Sequence, residues 1–305
     1  MSEITAAKVK ELRDKTGAGM MDAKKALVEN DGDMDQSVDW LRTKGLAKAA
    51  KKSGRTAAEG LVALAVSEDG KDGVIVEVNA ETDFVSRNEK FQEAVNKIAQ
   101  TALESGTQDI DALGNMDLGG KSVNDTLTDL IATIGENMQL RRFERICVDN
   151  GVIGQYMHNP VSANLGQIGV LVGLVSNEDQ ATLKDVGKKI AMHIAALKPE
   201  ALKPEDLSQD RVEREKNILR EKASESGKPA DIIEKMLEGQ IRKFYSEICL
   251  LQQTFVIDGE NTVEKYLEQA GKDIAIADYK IFVLGEGIEK EEEDFAEEVK
   301  NAVNG

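Results

Sequence analysis

The chain has 305 residues, of which 41% are hydrophobic and 31% charged, and its formal net charge is −17 at pH 7. That length allows two or more domains with real cores, and the balance of apolar to charged residues is that of a soluble globular protein. The acidic excess works against broad, non-specific binding to a phosphate backbone. The apolar stretches Leu61 to Val66 and Ile168 to Val175 are far too short to span a bilayer.

Residues 1 to about 45 read as three short helices. Thr5 caps the first, in which Ala6, Val9 and Leu12 share an apolar face. Thr16-Gly17-Ala18-Gly19 breaks the chain before a second helix over Met20 to Asn30, with Ala23, Ala26 and Leu27 inward. After Asp31-Gly32-Asp33 a third helix covers Met34 to Lys44, and Gly45 is placed to cap it. The stretch Arg42 to Arg55 carries Arg42, Lys44, Lys48, Lys51, Lys52 and Arg55 and no acidic residue. A basic arm for RNA and a linker with solvated lysines both fit; the lack of interleaved aromatic residues favours the linker.

Leu61 to Val66 and Val74 to Val78 read as a hairpin turned at Ser67 to Gly73. Thr82-Asp83-Phe84-Val85 follows it and precedes Ser86-Arg87-Asn88-Glu89, which has the capping-box spacing for a helix over Arg87 to Leu103. Phe84 therefore sits in a strand-to-helix turn. An apolar ring there either folds into the core or projects as a wedge, and general burial preferences favour the core. Gln108 to Gly120 reads as a loop. Val123 to Ile134 reads as a helix with Ser122 as its N-cap and Gly135 as its stop.

Met138 to Asp149 and Val152 to Tyr156 read as a second hairpin around the turn signal Asn150-Gly151, with Ile168 to Ser176 as a further strand. Asn177 is placed to cap a helix reaching about Leu197. Hairpin, strand or turn, and helix thus occur twice in order, which predicts two related α+β subdomains. Pro199 and Pro204 stiffen a connector. Helices from Ser208 to Ser226 and from Ala230 to Leu250, turned by Gly227-Lys228-Pro229, predict a projecting antiparallel helical hairpin. A helix over Thr262 to Ala270, a strand region over Ile274 to Leu284 and an amphipathic tail with Ile288, Phe295, Val299 and Val303 complete the chain. The expected architecture is α+β. Residues 1–55 hold a three-helix bundle and basic linker, and 56–137 a core N-subdomain with antiparallel sheet. Residues 138–284 hold a core C-subdomain with the helical hairpin inserted near 205–235, and 285–305 a C-terminal helical module.

Little catalytic chemistry is visible. Cys147 and Cys249 read as reduced, buried thiols of a cytoplasmic protein, and Met1 to Ile4 lack a signal pattern. His158 and His193 are the two histidines and share no metal-ligand spacing with the cysteines. His193, on an apolar helix face with Val186 and Ile190, reads as a core histidine; His158, before Asn159-Pro160, fits a surface contact or a plain loop position. Gly119-Gly120-Lys121-Ser122 resembles the end of a phosphate-binding loop. The first glycine of that loop would fall on Asn115, however, and no strand leads into it. No catalytic residue, cofactor or metal is expected.

Several motifs together carry a resemblance. Thr16-Gly17-Ala18-Gly19-Met20-Met21-Asp22-Ala23-Lys24-Lys25-Ala26-Leu27 and Glu81-Thr82-Asp83-Phe84-Val85 are long and specific. Ile134-Gly135-Glu136-Asn137, Met192-His193-Ile194-Ala195-Ala196, Lys198-Pro199, Lys235-Met236-Leu237-Glu238-Gly239 and Gly285-Glu286-Gly287-Ile288-Glu289-Lys290 follow in order. The chain resembles the bacterial elongation factor Ts family over essentially its whole length. Thr254 departs from it, standing where the family commonly has proline.

The resemblance implies a guanine nucleotide exchange factor for elongation factor Tu, bound in its GDP-loaded and nucleotide-free forms, with no covalent catalysis. It implies an N-terminal bundle like a ubiquitin-associated domain, whose grip falls on Leu12, Met20, Met21 and Lys24. It puts the wedge on Asp83 and Phe84, within Thr82 to Val85. Core contacts fall on Ile134, Gly135 and His158, and helix contacts on Met236 and Leu237, while the tail docks on the partner too. The charged hairpin could also join two copies of the chain. No direct nucleotide contact and no membrane contact are implied. An RNA adaptor using Arg42 to Arg55, a ubiquitin-like-binding adaptor and a nucleotide-binding enzyme are the competing classes.

Overall fold

The computed structural model describes residues 4–224 and 230–289. Helices α1 (Ala6–Thr16), α2 (Met20–Glu29) and α3 (Met34–Lys52) open the chain. The Thr5 hydroxyl accepts from the Lys8 amide at 3.3 Å, and Gly17 closes α1 in the left-handed region at φ 71°. Val9, Leu12, Ala23, Ala26 and Leu27 form the bundle's core.

The third helix does not stop at Gly45. It runs on to Lys52 and packs against α6 (Val123–Ile134). Gly45 is buried inside it, where a Cβ would come within 3.2 Å of the Ala132 methyl. Glycine there lets the two helices approach. Several of its basic residues are paired: Lys44 and Lys48 each reach Asp22 at 2.9 Å, and Arg42 reaches Asp125 at 3.6 Å. The stretch expected to be a linker is therefore mostly packed helix.

Strands β1 (Glu59–Val66) and β2 (Asp72–Ala80) follow, then a 3-10 turn over Val85–Arg87 and helix α4 (Glu89–Ser105). The cap of α4 is Asn88, whose side chain accepts from the amides of Lys90 and Phe91 at 3.0 and 3.3 Å. Ser86 was the expected cap, but its hydroxyl donates to the Asp83 carbonyl at 2.6 Å. The expected loop 108–120 contains helix α5 (Ile110–Asn115), capped by Asp109.

Beyond α6 come β3 (Met138–Cys147), β4 (Gly151–His158), β5 (Leu165–Gly166), β6 (Ile168–Val175) and α7 (Gln180–Leu197). Helices α8 (Gln209–Ser224), α9 (Ala230–Ile248) and α10 (Val263–Ala270) and strand β7 (Ala275–Val283) complete the described elements. Two sheets form, of order β3-β2-β1-β5 and β4-β6-β7. The expected β3–β4 hairpin is absent. Strand β4 pairs antiparallel with β6, from Gly151 opposite Val175 to His158 opposite Ile168. Asn150 joins that pairing, since its carbonyl accepts from Ser176 at 3.2 Å and its side chain donates to Asn177 at 2.8 Å. Helix α7 is capped by Asp179 rather than Asn177, with the carboxylate accepting from the amides of Ala181 and Thr182, both at 3.0 Å.

The chain divides into two compact units that do not follow chain order. One is Met1–Ala63, Val76–Phe143 and Val283–Gly305; the other is Leu64–Ile75 and Glu144–Phe282. In the second, Val152, Val170, Val172 and Leu174 of the sheet pack on Leu183, Val186, Ile190 and Ile194 of α7. Helices α8 and α9 pack together, with the Arg211 guanidinium 4.9 Å from the buried Phe244 ring. The Gly227-Lys228-Pro229 turn and the tail from 290 lie outside the described residues.

Candidate functional site

Phe84 does not fold into the core. Its side chain is 74% exposed, and Asp83 beside it is exposed too. The neighbour Val85 takes the buried position instead. The Ser86 and Arg87 amides donate back to the carbonyls of Asp83 and Phe84, both at 3.2 Å, so the turn is closed by its own backbone.

The base of this turn is tied to the end of α6. The Glu136 carboxylate accepts from the Thr82 amide at 2.9 Å and the Thr82 hydroxyl at 2.8 Å. In return, the Glu81 carboxylate accepts from the Asn137 amide at 2.5 Å and pairs with Arg55 at 3.3 Å. The Asn137 side chain donates to the Arg55 carbonyl at 2.8 Å. Each segment thus gives a carboxylate to the other's backbone, in charge-assisted bonds stronger than neutral ones. Thr82 to Val85 are brought together with the half-buried Ile134 and Gly135 by this brace.

The bundle divides its expected residues by exposure. Met20 and Met21 are 48% and 77% exposed, and Lys24 is exposed. Leu12, expected in the grip, is fully buried against the other core residues of the bundle, so it supports α2 from inside. Asp22, between the methionines and Lys24, pins α2 to α3. Hydrogen bonds from Lys48 and then Lys44 hold its carboxyl below the usual carboxylate range.

His158 is exposed at the end of β4, and its Nδ1 is hydrogen-bonded to the Tyr156 hydroxyl at 3.1 Å. Met236 is half-buried on α9. Leu237 is buried, two turns before Phe244 on the inner face of the helix, so it packs rather than presents itself. His193 is fully buried as a core histidine, bonded to Gln253 and to the Val256 amide.

Glu77, an unforeseen group, is fully buried in β2. It accepts from Arg141 at 2.9 Å, Arg142 at 2.6 Å, Asn79 at 3.0 Å and the Gly285 amide at 2.9 Å. Burial works to raise its pKa, and these four donors together hold it below the ordinary value. Arg142 also donates to the Val283 carbonyl at 3.1 Å, so the start of the C-terminal segment is clasped here.

The loop resembling a phosphate site is closed from within. The Gly119 and Gly120 amides donate to the Asp117 carboxylate at 3.0 and 2.7 Å, and Lys121 pairs with Asp129. Among the described residues no group of three or more His, Cys, Asp or Glu side chains is arranged to hold a metal ion, and no helix is long and apolar enough to cross a membrane.

The family model described as "Elongation factor TS" matches residues 81–286, from the start of the Phe84 turn to the clasped segment. The chain belongs to the elongation factor Ts family. A Rhizobium etli protein named elongation factor Ts is 54% identical over 310 residues, covering all of both chains. The Caulobacter vibrioides protein of the same name is 54% identical over 307 residues, with 98% of each chain covered. That of Paramagnetospirillum magneticum is 55% identical over 305 residues, covering 98% of this chain and 97% of its own. Glu81, Glu136 and Asn137 lie in the stretches that carry the resemblance, but in so acidic a chain the two carboxylates gave no separate signal before the fold paired them.

Proposed function

We infer that the exchange activity of this family is delivered here through Phe84, used as an apolar wedge. The chain is an elongation factor Ts that promotes nucleotide exchange on elongation factor Tu, and it is not a catalytic enzyme. Exchange needs linkage rather than covalent chemistry. A protein that binds the nucleotide-free factor better than the GDP-bound factor weakens GDP by the same ratio. A ring forced between side chains that support the phosphate and Mg²⁺ region supplies that difference by shifting a packed element between two arrangements.

The observation that carries this reading is the 74% exposure of Phe84 on a turn braced from below. The brace holds the ring where a partner can take it out of water, at a gain of roughly 25 cal/mol per Å² covered. Asp83, Thr82 and the edge at Ile134 and Gly135 flank it. Met20, Met21 and Lys24 form a second contact, with Leu12 and Val85 as buried supports. His158 and Met236 belong to further contacts of the same reading, with Leu237 as a buried support of its helix, and so does the segment from 285 onward. The modules 1–55, 56–137, 138–284 and 285–305 are its units of function. It places the protein in the cytoplasm, with no membrane contact and no nucleotide of its own. Self-association through α8 and α9 would use Ile218 and Ile232, 40% and 42% exposed; sedimentation giving only monomer removes it.

The deciding measurement is GDP release from elongation factor Tu with the wild-type chain and with Phe84→Ala. Release slows with the variant while its thermal melt stays in place. A lowered melt with normal exchange would mean that Phe84 supports the fold, since burying and losing a Phe costs about 3–5 kcal/mol.

A further inference from the structure

We propose that Glu136 is a positioning residue for nucleotide exchange, acting through Thr82 to hold Phe84 out from the surface. The proposal rests on Phe84 being the wedge. An exposed ring lowers its free energy by collapsing onto nearby apolar surface, at roughly 25 cal/mol per Å² covered. A turn that lets it collapse must be reopened each time the partner arrives, which weakens every later contact. Something has to fix the backbone on which Phe84 stands.

The geometry assigns that task to Glu136. Its two oxygens take the two donors of Thr82, amide and hydroxyl, at 2.9 and 2.8 Å. Both Thr82 donors lie two residues before Phe84, so the fork fixes the direction in which the chain enters the 3-10 turn. Gly135 aims the carboxylate. It ends α6 at φ 93°, a left-handed conformation that side-chain-bearing residues rarely adopt, and so turns the next residue off the helix axis toward Thr82. Gly135 thereby has a task that needs no contact with any partner. The Glu81 carboxylate on the Asn137 amide, at 2.5 Å, locks the fork from the other side. Asp83 takes part in neither arm and stays free to meet the partner.

A purely structural brace and a positioning brace differ in what their loss does. The test uses the full chain and elongation factor Tu loaded with fluorescent GDP, with release followed by stopped flow over a range of exchange-factor concentrations. Glu136→Ala and Glu136→Gln are compared in the wild-type and Phe84→Ala backgrounds. Glu136→Ala is expected to lower the saturating release rate about tenfold while the half-saturating concentration moves less than about twofold, as misplacement of a reacting element does. Glu136→Gln, whose amide can keep two bonds to Thr82, is expected to stay within about threefold of wild type. In the Phe84→Ala background Glu136→Ala is expected to change nothing more, because the ring it positions is gone.

Equal losses in both backgrounds, a shift confined to the half-saturating concentration, or an unchanged rate would each overturn the proposal. Where Glu136→Ala fails to fold, Thr82→Val removes only the hydroxyl bond, and the same cycle decides with a smaller effect. Normal exchange by Phe84→Ala alone removes the wedge reading, and the proposal with it, before any Glu136 variant is read.

Discussion

Gly154 of β4 and Gly187 of α7 meet backbone to backbone. A Cβ built on Gly154 would lie 2.5 Å from the Gly187 Cα, and one on Gly187 would lie 2.8 Å from the Gly154 Cα. Neither glycine needs an unusual φ; each is there for the close approach. Ala in place of a helical glycine ordinarily stabilises by about 1 kcal/mol. At Gly187 the sign should reverse, because the strand backbone cannot retreat like a flexible side chain. Gly187→Ala is expected to destabilise by about 1–3 kcal/mol in urea denaturation. A variant more stable than wild type would show that the strand and helix have slack between them.

The bundle separates support from contact. Leu12→Ala is expected to cost about 2–5 kcal/mol, since it empties a fully buried site among Ala23, Ala26 and Leu27. Met21→Ala removes a side chain that is 77% exposed and should leave the melt unchanged while weakening binding to elongation factor Tu. Titration calorimetry beside thermal melts separates the two. Full affinity in Met21→Ala would take Met21 out of the interface.

The parts of the fold legible in the sequence were those written in local periodicity. Helices α1, α2 and α6 and strands β1, β2 and β6 were all readable from turn residues and apolar spacing. Two failures share a cause, which is that a local signal was outvoted by a distant partner. Gly45 has the chemistry of a helix stop but serves the contact with Ala132. Asn150-Gly151 has the chemistry of a hairpin turn but starts a strand paired with β6. A third failure is local: Ser86 has the spacing of a cap but bonds back to Asp83 three residues earlier, and Asn88 caps the helix instead. At the candidate site, Phe84 was readable as an apolar ring in a turn. Its direction was not, because exposure depends on Val85 taking the buried slot. Glu136 could not be singled out, since its meaning lies in Thr82, far away in the chain.

His193 should make stability depend on pH. Its Nδ1 accepts from the Val256 amide at 3.2 Å, which leaves the ring proton on Nε2, donating to Gln253 at 2.9 Å. Protonating Nδ1 would break the Val256 bond. Burial holds the pKa below the ordinary 6.5, with the Gln253 bond working the other way. A depressed folded pKa means that the contribution is fully present above the unfolded value and is lost as pH falls below it toward the folded value. The wild type should therefore lose stability more steeply than His193→Gln as pH falls below the ordinary 6.5. His158 is common to both proteins and cancels. Parallel slopes would show that His193 protonates without penalty.

The chain on its own should bind neither GDP nor GTP. A phosphate site needs several backbone amides converging on an empty space, with a lysine free to reach the anion. At Gly119 and Gly120 the amides do converge, but on the Asp117 carboxylate, at 3.0 and 2.7 Å. The chain fills its own nest with an internal anion, and a phosphate entering would meet that carboxylate at close range. Lys121 is already paired with Asp129, and the Ser122 hydroxyl accepts from the Asp125 amide at 3.0 Å as the cap of α6. A formal charge of −17 adds a long-range field against a polyphosphate. Exchange needs no such contact, since linkage acts entirely through the partner's two states. Calorimetry with Mg²⁺-GDP should give no saturable heat. Asp117→Asn, which removes the charge while keeping an acceptor, should bind no better unless the loop is a suppressed phosphate site. A one-to-one isotherm in the wild type, abolished by Lys121→Ala, would return the loop to the list of binding sites.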